Sequence, residues 1–184
     1  MTEPRHDPAV QVRHLDPIEP RDLDGLCEVL LDCVDGGASV SFMHPLTFER
    51  AHAFWSDVAA SAARGERAVF AAFDAAGSIV GTAQVVWAQP ENQPHRGDVA
   101  KMLVHRRARR LGVGAALLEA AERHALAAGR TVLVLDTASP DAERLYTRAG
   151  WTRVGEIPSY ALLPDGTPCA TTIFFKVLAP RPGS

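Results

Sequence analysis

A mixed α/β (α+β) fold is predicted for this chain, and three observations predict it. Apolar residues follow strand period in seven segments and helical period in four, in the order β, α, α, β, β, β, α, β, α, β, β. One apolar strand runs through an Arg-rich turn into a helix opened by glycines, Val99-Ala-Lys-Met-Leu-Val-His-Arg-Arg-Ala-Arg-Arg-Leu-Gly-Val-Gly-Ala-Ala-Leu-Leu118. A length of 184 residues with 47% hydrophobic content is enough for one sizeable core.

The elements follow in order. Residues 1–9 and 179–184 are Pro-rich and polar and read as flexible ends of a single domain spanning 10–178. Val10–Leu15 reads as a strand. Leu23, Leu26, Cys27, Leu30, Leu31 and Val34 recur at helical spacing, and Gly36-Gly37 ends that helix. Phe48, His52, Trp55, Ala59 and Ala62 mark a second helix, stopped at Gly65. Ala68–Phe73 and Ile79–Trp87 are two strands joined by an Asp-Ala-Ala-Gly turn. After the 89–94 loop, Arg96–Val104 is a strand. Val113, Leu117, Ala120, Ala121 and His124 mark a third helix ending near Gly129, and Thr131–Leu135 is a central strand. Ser139 is a good N-cap, Pro140 suits the first helical position, and Gly150 stops the short fourth helix. Trp151–Leu163 and Thr171–Leu178 close the chain as antiparallel strands around a Pro164-Asp-Gly turn.

Composition excludes several function classes. A net charge of −3 argues against nucleic-acid binding. No apolar run could span a bilayer and Met1–Asp7 lacks a signal-peptide core, so a cytoplasmic location is expected. Cys27, Cys33 and Cys169 have no metal-ligand spacing and read as reduced thiols. The histidines form no ligand set, and His124 reads as a packed core imidazole. Of 19 basic residues only Lys101 and Lys176 are lysine; with many alanines, this suggests a GC-rich bacterial source.

The glycine-opened helix carries the chemistry. Its first N–H groups have no partner within the helix, and its dipole is positive at that end, so it is an anion site suited to a pyrophosphate. A Cβ there would hold phosphates off the backbone. A plain strand–turn–helix joint is the simpler alternative. No Gly-Lys-Ser/Thr forms a P-loop, and Leu117 stands where a Gly-x-Gly-x-x-Gly fingerprint opened by Gly112 needs its last glycine.

Arg109-x-x-Gly112-x-Gly114 resembles the acetyl-CoA signature (Gln/Arg)-x-x-Gly-x-(Gly/Ala) of the GNAT acetyltransferases. Further on, Ser139-x-x-Ala142-x-x-Leu145-Tyr146-x-x-x-Gly150-Trp151 resembles that family's Asn-x-x-Ala-x-x-Leu-Tyr-x-x-x-Gly-(Phe/Trp), with Ser139 replacing the Asn. Val34–Met43 and Tyr146–Leu178 narrow the resemblance to a branch of the family that acetylates an amino-acid antibiotic, tabtoxinine-β-lactam.

The resemblance implies a mixed, mostly antiparallel seven-stranded sheet with about four helices on both faces. It implies an acetyl-CoA-dependent N-acetyltransferase in which a small primary amine attacks directly within a ternary complex, without a metal. Coenzyme contacts would come from Met102, Leu103, Val104, Arg109, Arg110, Leu111, Gly112, Val113, Gly114, Ala115, Ser139 and Ala142. A backbone N–H of Leu103 or Val104 would polarise the thioester carbonyl. Tyr146 would protonate the leaving thiolate, and Asp98 or Asp136 would take the amine's proton. Both carboxylates are expected to face a cleft where their strands splay. The neighbouring Arg106 and Arg107 are expected to meet coenzyme phosphates as well. Gly37, Ser39, Phe42 and Tyr160 are the candidate acceptor contacts. The expected partners are acetyl-CoA and a small amine, with no nucleic acid and no membrane; a homodimer stays open. Two alternatives stand beside this reading: a different amine, such as a metabolite, an aminoglycoside or a protein N-terminus, or a non-catalytic acyl-CoA sensor.

Overall fold

The computed structural model describes residues 10–179. The expectation of loose ends at 1–9 and 179–184 therefore lies outside the described residues, apart from Ala179. Seven strands and four helices run β1 (Gln11–His14), α1 (Pro20–Asp35), α2 (Phe48–Ala63), β2 (Arg67–Phe73), β3 (Ile79–Trp87), β4 (Arg96–Val104), α3 (Val113–Ala127), β5 (Val132–Thr137), α4 (Pro140–Arg148), β6 (Thr152–Leu162) and β7 (Pro168–Val177). A short 3-10 turn, Arg106–Ala108, lies between β4 and α3. Apart from that turn, which the sequence reading does not anticipate, the order and type of the elements follow the sequence prediction.

Boundaries move where local chemistry extends an element. α1 starts at Pro20, three residues before the first periodic leucine. Pro20 needs no N–H bond at the first helical position, and the Glu19 N–H donates to Asp22 Oδ2 at 3.0 Å. β7 begins at Pro168, which still pairs with Leu162 across the hairpin.

The sheet order is β1-β2-β3-β4-β5-β7-β6, antiparallel throughout except for the parallel β4–β5 pair. Each face carries its own apolar cluster. α1 and α2 pack Leu26, Leu30, Val34 and Trp55 against Val69, Ala71, Phe73 and Leu103. On the other face, α3 and α4 pack Leu117, Leu118, Ala121 and Tyr146 against Phe70, Val85, Leu133 and Phe174. The start of α3 lies hard against β3. A Cβ on Gly81 would stand 2.9 Å from Val113 Cγ1 and 3.0 Å from the Leu103 carbonyl oxygen. His124, expected as a core imidazole, is half-buried against His14, Phe70 and Trp87, and burial lowers its pKa.

Candidate active site

β4 and β5 start side by side and then part. Their pairing covers three rungs, Arg96–Val132, Gly97–Leu133 and Asp98–Val134. Beyond Asp98, β5 keeps its bonds to β7 while β4 bulges. Lys101 and Met102 stand opposite the single residue Ala83, between the rungs Ala100–Gln84 and Leu103–Thr82. An extra residue in one strand bends it and redirects its side chains. Between the diverging strands lies a cleft of about 1410 Å³. Its walls are β4, the turn into α3, the end of β5, α4, the α1–α2 loop and the β6–β7 hairpin.

At one end is the start of α3. Gly112 caps it in the left-handed region at φ 78°, with open space where a Cβ would stand. Among the described residues, the N–H groups of Val113, Gly114 and Ala115 donate to no protein group. This is an array of aimed donors at a positive helix end. Arg109 and Arg110 flank it on the cleft wall. Arg109 Nε also donates to the Val104 carbonyl at 3.3 Å. The other two arginines of the run are committed elsewhere, contrary to the expectation that the whole run meets phosphates. Arg106 pairs with Asp32 at 2.9 Å and Arg107 with Asp74 at 3.6 Å. Burial would raise the pKa of Asp32, but the Arg106 N–H and guanidinium, with His105, hold it below its ordinary value.

Met102, Leu103, Val104, Gly114, Ala115, Ser139 and Ala142 also wall the cleft. Leu111 and Val113 do not offer their side chains, one lying exposed and the other in the core. Ser139 Oγ accepts the Ala142 N–H at 3.3 Å as the cap of α4. The His105 N–H bonds the Val80 carbonyl on β3, and the Val104 carbonyl bonds Arg109 instead. Backbone groups alternate direction along a strand. Val104 therefore turns its N–H toward the open edge, and Leu103 toward β3.

Tyr146, 3% exposed, reaches the cleft from α4. Among the described residues its hydroxyl has no hydrogen-bond partner. Burial raises its pKa well above the usual phenol value, reinforced by the charge of Asp136. Asp136 lies at the end of β5 on the cleft wall, and its Oδ2 accepts the Thr171 hydroxyl at 2.6 Å.

Asp98 corrects the expectation of two carboxylates on the cleft. It sits on the last paired rung, before the strands part, and is not among the residues walling the cleft. Its Oδ1 is 2.6 Å from Arg96 Nη1, a partly exposed ion pair.

The acceptor candidates Gly37, Ser39, Phe42 and Tyr160 all wall the other end. The α1–α2 loop is clipped to the β6–β7 hairpin there. Ser39 Oγ donates to the Leu162 carbonyl at 3.2 Å, and the His44 N–H to the Pro164 carbonyl at 3.0 Å. Lys101, absent from the sequence expectations, also lines this end, on the bulge with φ 49°. Among the described residues, no group of three or more His, Cys, Asp or Glu could hold a metal ion. No described helix is long and apolar enough to cross a membrane.

A family model described as "Acetyltransferase (GNAT) family" matches residues 36–151. Three solved structures share the fold. An N-acetyltransferase from Staphylococcus aureus Mu50 is 17% identical, with a TM-score of 0.77, over 93% of this chain and 99% of that one. The protein yncA from Salmonella typhimurium, solved with its cofactor acetyl-CoA, is 19% identical, with a TM-score of 0.75, over 95% and 97%. A ribosomal-protein-alanine N-acetyltransferase from Brucella melitensis is 21% identical, with a TM-score of 0.75, over 91% and 99%.

Proposed function

The chain belongs to the acetyltransferase (GNAT) family, and on that premise we propose that it transfers an acetyl group from acetyl-CoA to the primary amine of a small molecule, by direct attack in a ternary complex. One observation carries the reading. A helix start with free, aimed N–H groups opens into the same cleft as a protonated Tyr146 and a carboxylate, Asp136.

Acetyl-CoA supplies the acetyl thioester when bound. The open space at Gly112 and the N–H groups of residues 110–115 suit its pyrophosphate, with Arg109 and Arg110 adding charge. The Val104 N–H, at the unpaired edge of β4, is the donor for the developing oxyanion. Asp136 accepts the amine's proton, directly or through one water. Tyr146 holds a proton for the departing sulfur, and its raised pKa keeps the phenol protonated across neutral pH. Asp98, held by Arg96 off the cleft, has no part in this scheme.

The narrower reading, an amino-acid antibiotic of the tabtoxinine type as acceptor, rests on the likeness of Val34–Met43 and Tyr146–Leu178 to a tabtoxin resistance protein. The solved structures, under 25% identical, bear on the fold alone. A thiol-release assay with acetyl-CoA and an amine library, products identified by mass, tests the proposal. Acetylated amine is the expected product. Tight acetyl-CoA binding with no transfer to any amine would instead support an acyl-CoA sensor.

A further inference from the structure

We propose that Lys101 receives a carboxylate on the acceptor, so that the acceptor is an amine bearing an acid group, its amine beside Asp136 and its carboxylate on the Lys101 ammonium. This rests on the acetyl-transfer reading above and adds the class of acceptor.

The bulge in β4 is what brings Lys101 to the site. Lys101 adopts the left-handed region without being a glycine, a conformation kept only where the surroundings enforce it. Its Nζ donates to Ser41 Oγ at 3.1 Å, and the ammonium lies 5.5 Å from the centre of the Phe54 ring. Neither partner is an anion. Among the described residues no carboxylate comes within 4.0 Å of it, and its other N–H bonds have no protein acceptor.

A lysine withdrawn from water normally pairs or loses its proton. Here burial, with Arg67 nearby, pulls the pKa down, and Asp136 alone opposes this from a distance. A carboxylate delivered by the acceptor would complete the shell. Lys101 and Asp136, on two diverging strands, thus present opposite charges across the acceptor half of the cleft, the complement of an amino acid's ammonium and carboxylate. The other side chains there, Phe42, Ser39 and Tyr160 among them, are uncharged.

The test compares α-amino acids with their carboxamides in the thiol-release assay, at equal concentrations of free amine. The wild-type protein is expected to favour the acids at least tenfold in kcat/KM. Lys101→Met should bring the acid-to-amide ratio close to one, and Lys101→Arg, which keeps the charge, should restore part of the preference. Equal turnover of acids and amides by the wild-type protein, or a preference that survives Lys101→Met, would overturn the inference. So would an equal loss for both substrates in Lys101→Met that Lys101→Arg also shows, which would make Lys101 a base. Acetyl-CoA binding by calorimetry with no acid turned over also overturns it, leaving the coenzyme site standing. Absence of acetyl-CoA binding overturns the acetyl-transfer reading itself.

Discussion

The Tyr146 hydroxyl can be deleted at little structural cost, because it bonds to no group among the described residues while the ring packs against Trp151 and Phe174. Tyr146→Phe should therefore leave the melting temperature nearly unchanged. Turnover should fall by roughly 10²–10⁴-fold with acetyl-CoA affinity intact, if the phenol protonates the leaving sulfur. Wild-type turnover in that variant would reduce Tyr146 to packing. The two aspartates now separate. Asp136→Asn should slow transfer at neutral pH, with the deficit shrinking as pH approaches the acceptor amine's own pKa, where the amine arrives deprotonated. Asp98→Asn should leave the pH–rate profile in place and break only a partly exposed ion pair, worth about 0–1 kcal/mol. A flat profile for Asp136→Asn and a deficit for Asp98→Asn would reverse the assignment. The sequence puts both carboxylates on strands expected to splay, but it cannot show that those strands stay paired through Asp98 and part just after it. Lys101 was overlooked for a similar reason. A bulge depends on the partner strand's register, which no single strand's pattern reveals. The available clue was its rarity, as one of two lysines beside seventeen arginines. Lys176, the other, bonds Glu122 at 2.6 Å and the Ala149 carbonyl at 2.7 Å, tying β7 to α3 and to the end of α4.

Elements were legible because their signals are local. Ser139 caps α4 and Pro140 opens it, as their residue types imply. The anion site proposed at the glycine turn before α3 is readable for the same reason, since its donors belong to consecutive residues. Gly112→Asp tests that element. The Cβ itself would meet no protein atom, so damage to the fold comes only from φ 78°. The added negative charge should cut acetyl-CoA affinity by about 2–4 kcal/mol, roughly thirty- to a thousand-fold. Unchanged affinity by calorimetry would remove α3 from the coenzyme site. The division of the arginine run was not legible, because the partners Asp32 and Asp74 lie far away in sequence.

Over the whole molecule, the shifted groups set a pH dependence of stability. His124 is held below its ordinary 6.5, Glu66 is held at about 2 instead of 4.5, and Asp32 is held below 3.8. Burial acts on His124; the Arg64 and Ser61 hydrogen bonds act on Glu66. For all three, the unfolded chain takes up protons that the folded chain refuses. Stability should therefore decline as pH falls through 6.5, and more steeply as it drops from 4.5 toward 2. Denaturant melts at pH 7.5, 5.5 and 3.5 would show midpoints falling in that order; a constant midpoint would contradict these environments. The sheet itself has a further property. Four strands on one side and three on the other are stitched by only three rungs, so the molecule is built like a book with a short spine. The apolar cluster under α1 and α2 stays on one leaf, and the cluster under α3 and α4 bridges the two, so that second cluster is what resists flexing along β4 and β5. A ligand lying in the gutter would touch both pages, and its grip would be felt as stiffness. Hydrogen exchange at Val104, whose N–H faces the opening, should slow on adding acetyl-CoA together with amides at the end of β5, as two leaves pinned by one bookmark.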